Sequence, residues 1–172
     1  MMIKLSTFKE EHLDALNQIM KRAFDEDSLV HLTKTGGPIG YDNGELLKKI
    51  FVNEKNTSFL ILRDTTLIGG VSITVDQKTN INVLNMIFID SNEQNSGAAS
   101  SVWKALEKKF NNAKVWRCQS NLYSTKNMNF LINKCGFRCT RIKNPKSKMD
   151  AMCIMDKWMP KKLDNKEDKV NE

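Results

Sequence analysis

No stretch of this sequence stays apolar for the roughly 20 residues a helix needs to cross a bilayer, so no membrane span is expected. The opening residues, 1–8, alternate like a strand and lack the longer apolar core of a secretion signal. Cysteine is sparse and poorly spaced for metal. Cys118, Cys135, Cys139 and Cys153 form no Cys-x-x-Cys pair, and the two histidines, His12 and His31, are remote from them. That argues against the common zinc frameworks, and no metal is expected. Without a secretion signal, the four thiols are expected to be reduced, small buried hydrophobes in a cytoplasmic protein. Internal repeats are also missing. Only the charged run 161–172 has low complexity; nearly devoid of apolar residues, it reads as a disordered tail.

What is present is ordinary for one globular domain, here residues 1–160: 40% of the 172 residues are hydrophobic and 27% charged. The net charge is +7, from 27 basic and 20 acidic side chains, and the tail carries four of each, so the excess sits in the folded body. A basic body attracts polyanions, whether nucleic acid, acidic protein or a phosphorylated cofactor, and charge alone does not choose among them. Five bases, Arg138, Arg141, Lys143, Lys146 and Lys148, crowd into eleven residues. They read first as solvated edge-strand charges that discourage pairing; an acidic acceptor or a nucleic-acid contact is the sharper alternative.

The hydrophobic periods give an alternating series of strands and helices. Residues 3–8 read as a strand, Thr7-x-x-Glu10 resembles a capping box, and Leu13, Leu16, Met20 and Phe24 recur at helical spacing. A Gly-rich loop is expected over 25–44, then a short helix with Leu46, Leu47, Ile50 and Phe51 on one face. Runs at 58–63, 67–75 and 81–89 make an antiparallel meander. Ala99, Val102, Trp103, Leu106 and Phe110 mark a helix, 114–119 a strand, and Met128, Leu131, Ile132 and Cys135 a helix ended by Gly136. A hairpin of 137–142 and 149–154 closes the series across Asn144-Pro145. The fold class is α/β (α+β): a mixed, mostly antiparallel sheet with helices on both faces and one parallel crossover at its centre. Trp103 and Trp116 are placed in the core beside that crossover.

The segment richest in chemistry runs from the buried strand at 81–89 through a polar loop to Gly97, Ala98 and Ala99. A helix N-terminus offers unpaired N–H groups and about half a positive charge. Small residues there leave the amides bare, so a pyrophosphate can rest on them, and Gln94 can add a side-chain donor.

Ile89, Asp90, Gln94, Gly97 and Ala99 resemble the central pattern of the GNAT acetyltransferase superfamily: a strand ending in an aliphatic residue, then Asp/Asn-x-x-x-Gln/Arg-x-x-Gly-x-Gly/Ala and a helix. Lys134-Cys135-Gly136-Phe137 is similar to that family's Lys-x-Gly-Phe, and Met155-x-Lys157-x-Met159 to the ending of its last strand. The segment from Gly40 and Tyr41 to Gly44 also resembles a loop of bacterial members. The resemblance runs nearly to Trp158. It implies an acetyl-CoA-dependent N-acetyltransferase moving an acetyl group to a primary amine of a small molecule or protein, with no metal and no covalent enzyme intermediate. It further implies that Gln94, Asn95, Ser96, Gly97, Ala98 and Ala99 cradle the pyrophosphate of coenzyme A. Backbone groups of Ile87 and Ile89 would pair with the pantetheine arm and offer an N–H to the thioester oxygen. A homodimer is compatible with it, whereas nucleic acid is not an expected partner; the alternative is a non-catalytic acyl-CoA-binding or nucleic-acid module on the same fold.

The sequence departs from the family where a tyrosine commonly protonates the departing thiolate: Ile132 stands there, after Leu131. An asparagine common in this helix has two counterparts, Asn127 and Asn129, of which Asn127 is placed at the coenzyme. The catalytic residues stay open. Tyr123 is a candidate acid and Glu93 a candidate base, against the plainer reading of Glu93 as a solvated loop carboxylate. The resemblance further implies that Asp25 and Glu26, with Asp27 beside them, and Tyr41 in the Gly-rich loop wall the acceptor pocket and draw a cationic amine, against the plainer reading of an exposed acidic loop.

Overall fold

The computed structural model describes residues 2–160, so the run 161–172 lies outside the described residues. Strand β1 (Ile3–Thr7) leads through a single 3-10 turn at Glu10–His12 into the long helix α1 (Leu13–Leu32). Helix α2 (Glu45–Phe51) precedes the meander β2 (Asn56–Arg63), β3 (Thr66–Thr74) and β4 (Ile81–Ile89). Then come α3 (Ala98–Lys109), β5 (Val115–Asn121), α4 (Thr125–Asn129), β6 (Arg138–Lys143) and β7 (Met152–Trp158). The seven strands form one sheet in the order β1-β2-β3-β4-β5-β7-β6, antiparallel except where β4 meets β5.

Strand alternation divides the apolar residues between two cores. Leu60 and Ile61 are neighbours on β2, as are Phe88 and Ile89 on β4, and in each pair the two residues join opposite cores. On one face α1 and α2 bring Leu16, Met20, Leu47 and Phe51 onto Leu60 and Phe88. On the other, α3 brings Val102, Trp103 and Leu106 onto Trp116 and Phe137. Trp103 and Trp116 meet edge to face, centroids 5.2 Å apart at 73°, a contact that contributes about 1 kcal/mol beyond its buried area. Gly69 admits no side chain because a Cβ there would lie 2.1 Å from the Phe88 carbonyl oxygen.

Several expectations are corrected. Helix α1 does not stop at Asp25: Lys21 bonds Asp25 and His31 bonds Asp27, each at i,i+4 spacing, and the helix ends only at Thr33 in a left-handed conformation. Thr7 and Glu10 make no capping box; His12 Nδ1 instead accepts the Lys9 N–H at 3.1 Å. Strand β7 lies three to four residues later than 149–154, because it is fixed by β5 on its inner side, from Val115 opposite Trp158 to Asn121 opposite Met152. The helix ending at Gly136 widens into a π-turn over Phe130–Lys134, with the Cys135 N–H reaching back to Phe130 O. The wider turn keeps Leu131 and Cys135 in the core and rotates Ile132 outward, 37% exposed. Cys118 and Cys135 are buried free thiols as expected, but Cys139 and Cys153 are joined as a disulfide. Cys139 faces Met155 in the register, so Cys153, two residues from Met155, is its diagonal neighbour on the same face. Strand β6 is an edge strand, exposed throughout, so Arg138, Arg141 and Lys143 stand on an open edge.

Candidate active site

Strands β4 and β5 pair over only three positions: Ile81 with Val115, Asn82 with Trp116 and Val83 with Arg117. Beyond them β5 stays with β7 while β4 stays with β3, and the two inner strands part. A cleft opens there, and among the described residues the rest of β4 has no ladder partner on that side. Which peptide groups face the opening follows from the pleat. The Asp90 N–H donates to Ile68 O at 2.7 Å and the Phe88 oxygen points at Gly69, so Phe88 and Asp90 turn their peptide groups toward β3. Ile87 and Ile89, one residue out of phase, turn theirs to the cleft.

The loop after β4 is shaped by its own polar groups. Asp90 accepts from the Asn92 N–H and from Arg22 of α1, at 2.5 and 3.3 Å. The Arg22 hydrogen bond outweighs desolvation and holds the Asp90 carboxyl below the usual carboxylate range, while the same bond raises Arg22. Asn95 (φ 58°) and Gly97 (φ 78°) are both left-handed, and the chain enters α3 with its first intrahelical bond from Ser101 N to Gly97 O. The N–H groups of Ala98, Ala99 and Ser100 therefore have no acceptor inside the helix. A Cβ on Gly97 would meet nothing within 4 Å, so the approach to these amides is open. Such a seat fits a diphosphate.

Arg63, at the end of β2, braces this loop from behind. Its guanidinium pairs with the Glu93 carboxylate, donates to Glu93 O at 3.2 Å and bonds Ser96 Oγ. The Gln94 amide donates to Ile89 O at 2.9 Å and its oxygen accepts from Lys126, so it ties the loop to the strand end and to α4. The sequence reading does not single out Arg63 or Lys126. Among so many cations no local pattern marks them, and each reaches the loop from a distant element.

Two cavities meet along the cleft. One of about 520 Å³ contains the loop amides together with Ile87, Ile89, Asn127 and Asn129, and it adds Ser100 and Lys134, which the sequence reading missed. The second, about 860 Å³, lies between the parted strands, with Asn85 on one wall, Gln119, Asn121 and Tyr123 on the other, and Lys34 at the Gly-rich loop. Phe24, Asp27, Ile87, Asn127 and Phe130 border both. Glu93 lines the first, with its carboxylate on Arg63; the Tyr123 hydroxyl accepts from Asn121 Nδ2 at 3.1 Å in the second. Asp25, Glu26 and Tyr41 line neither. Tyr41 donates to Asp25 at 2.8 Å and packs on Phe24, and Glu26 faces Lys126 at 3.6 Å. Desolvation pushes Asp25 up, yet the bonds from Lys21 and Tyr41 prevail and lower it, while the bond to Asp25 raises Tyr41 to about 12. Ile132 also lies outside both cavities, and Phe130 turns into the cleft instead.

The profile of the acetyltransferase (GNAT) domain matches residues 4–151. The chain belongs to the GNAT acetyltransferase family. Its GNAT fold is seen in an acetyltransferase from Thermus thermophilus, with a TM-score of 0.73 at 12% identity over 92% of this chain and 98% of that one. The PaiA N-acetyltransferase of Thermoplasma acidophilum, solved with coenzyme A, gives a TM-score of 0.70 at 15% identity over 92% and 100%. In sequence, the chain is 29% identical over 108 residues to YrkN of Bacillus subtilis strain 168, an uncharacterized protein. That match covers 63% of this chain and 57% of YrkN. Among the described residues of this GNAT domain no helix is long and apolar enough to cross a membrane, and no group of three or more His, Cys, Asp or Glu could hold a metal ion.

Proposed function

We propose that this chain is an acetyl-CoA-dependent N-acetyltransferase, passing an acetyl group to a primary amine that attacks the thioester directly. The early end of the β4–β5 ladder carries the reading, because it leaves a bare strand edge running straight into an amide-lined helix N-terminus. In this reading the amides of Gly97, Ala98, Ala99 and Ser100 hold the pyrophosphate of coenzyme A, with Asn95, Ser96 and the Gln94 brace shaping the loop. Lys126 and Lys134 add positive charge beside it. Ile87 and Ile89 hold the pantetheine arm by main-chain bonds, and Asn127 borders it where the cavities meet. A strand-edge N–H stabilises the charge that develops on the thioester oxygen. Juxtaposing amine and thioester in the second cavity supplies the proximity term. The departing thiol has an ordinary pKa of roughly 8.5, so the thiolate can leave without a phenolic acid at position 132.

The test is coenzyme A release, followed with a thiol-reactive dye, when acetyl-CoA and a panel of amines are mixed with the protein. The chain's own free thiols stay silent in the folded state: both are buried, and burial pushes Cys118 up and Cys135 up to about 12. Amine-dependent release is the expected result. Tight acetyl-CoA binding with no release for any amine would replace the transferase by a non-catalytic acyl-CoA binder.

A further inference from the structure

One carboxylate stands where the two cavities join. Of the five residues bordering both, only Asp27 is ionisable, and the others present aromatic, aliphatic and amide groups. Asp27 is built into place from two sides. Its Oδ1 accepts from Ser124 Oγ at 2.8 Å, and Ser124, 1% exposed, also caps the Asn127 N–H at the start of α4. From its own helix, His31 Nδ1 lies 2.8 Å from Asp27 O and 3.3 Å from Asp27 Oδ1. Both neighbours are acceptors, so Nδ1 carries the hydrogen; the far nitrogen, Nε2, meets Thr125 Oγ1 at 2.9 Å. Oδ1 is thereby occupied, which leaves Oδ2 as the oxygen able to take a ligand on a residue that borders both cavities. The Asp27 side chain is only 14% exposed and has Phe24 and Phe130 beside it on the cavity border. A carboxylate in such partly apolar surroundings gains most from a cation that brings both charge and N–H donors.

We propose that Asp27 is the specificity-determining residue for the acceptor, binding its ammonium group through Oδ2 and holding the nitrogen beside Ile87, where the strand edge meets the second cavity. The ammonium gives one proton to water, its lone pair then attacks the thioester carbon, and as the C–S bond breaks the second proton ends on the departing thiol. The proposal rests on the transferase reading for its chemistry but not for its binding test. The other carboxylate lining the acceptor cavity, Asp150, accepts from Ser147 at 2.9 Å and lies in the exposed β6–β7 connection, away from the junction. His31 lines neither cavity and acts as the holder of Asp27. The acceptor class selected is a cationic primary amine whose neutral body lies among the amide and hydroxyl groups of the parted strands.

The experiment compares hexylamine with hexanol, near-isosteres that differ in charge at neutral pH, by calorimetric titration of the protein alone and loaded with coenzyme A. Hexylamine is expected to bind at least roughly tenfold more tightly, the scale of one hydrogen bond between charged partners. Asp27→Asn, which keeps the Ser124 contact, is expected to erase that preference and leave coenzyme A affinity unchanged. Should Asp27→Asn fail to fold, hexylamine shifts in the backbone amide resonances of the native protein give the same answer: they are expected at residues 27, 124 and 125. A preference that survives Asp27→Asn, no preference in the native protein, or shifts clustered elsewhere would overturn the assignment. In the native protein, failure to bind coenzyme A together with a hexylamine preference that Asp27→Asn erases would sink the transferase reading and spare Asp27.

Discussion

In the proposed reading, the coenzyme end of the cleft is made of peptide groups and the acceptor end of side chains. At the first, the open edge of β4 and the amides of Gly97 to Ser100 would do the recognising, while side chains such as Arg63 and Gln94 brace the loop that carries them. At the second, Asp27, Asn85, Gln119 and Tyr123 converge from α1, β4, β5 and the turn between β5 and α4. Peptide groups are the same in every sequence, so the first end depends on backbone shape and tolerates most side-chain changes. The second depends on which side chains are present and can be retuned residue by residue. A family that keeps one cosubstrate and varies its acceptor would be expected to divide its site in this way.

The sharpest way to break the comparison is to put a side chain where only backbone should matter. Gly97→Glu is expected to weaken coenzyme A binding by more than about 100-fold, about 2.7 kcal/mol by calorimetry. The new carboxylate would occupy the diphosphate seat with like charge. The fold should survive: a Cβ at this position meets nothing within 4 Å, and the left-handed backbone costs roughly 1–2 kcal/mol for a non-glycine residue. Gly97→Ala, carrying that backbone cost without the charge, separates the two effects. If Glu and Ala weaken binding equally, the loop does not hold a diphosphate.

Arg63→Ala asks how much the braces matter to a site made of backbone. Removing the guanidinium leaves Glu93 and Ser96 without their partner at the back of the loop. Coenzyme A affinity is expected to fall by roughly five- to twentyfold, with stability lowered by no more than about 1 kcal/mol, because water can reach Glu93 and Ser96 in place of the guanidinium. The affinity for hexylamine, read at the other end, should not move. An equal loss at both ends would mean that the two ends are not independent.

The same division explains what could be read from the sequence. The strand, the glycine and the small residues after it are contiguous, so the strand–loop–helix junction was legible in a stretch of some fifteen residues, and the parallel crossover in that junction together with the strand that follows the helix. The acceptor end was legible only as a neighbourhood. Asp25, Glu26 and Asp27 are adjacent in the chain, but successive helical positions are about 100° apart, so only one of the three can face the cleft. The length of α1 decides which one, and its polar i,i+4 partners concealed that length by looking like a loop. The π-turn at Phe130–Lys134 was invisible for a related reason: the apolar pattern fits an ordinary helix, and only packing shows that Ile132 has been rotated away.

Acid should separate the ends with a smaller effect. Asp90 fastens α1 to the start of the coenzyme loop, and its carboxyl is held low chiefly by Arg22. A carboxyl with a depressed folded-state pKa contributes stability that is present above its unfolded value, near pH 4, and is lost as pH falls through the folded value. Urea unfolding of the native chain against Asp90→Asn should therefore show a native advantage that is flat above about pH 5 and shrinks below about pH 4. An advantage independent of pH would mean that the ion pair does not secure this end.

The smallest expected effect is the most informative about the missing acid. If the family's tyrosine position carried over by sequence spacing alone, Ile132→Tyr would place a phenol at the departing thiolate and raise turnover. The π-turn points position 132 to solvent, so Ile132→Tyr is expected to leave kcat within about twofold at every pH, well under 1 kcal/mol of barrier. Phe130→Tyr puts the same phenol on a side chain that borders both cavities, and there a change in the alkaline limb of the pH–rate profile is expected, because general acid catalysis depends on a group that keeps its proton. If Ile132→Tyr alone alters that limb, the helix must turn position 132 inward when coenzyme A is bound, and side chains as well as peptide groups would shape the coenzyme end.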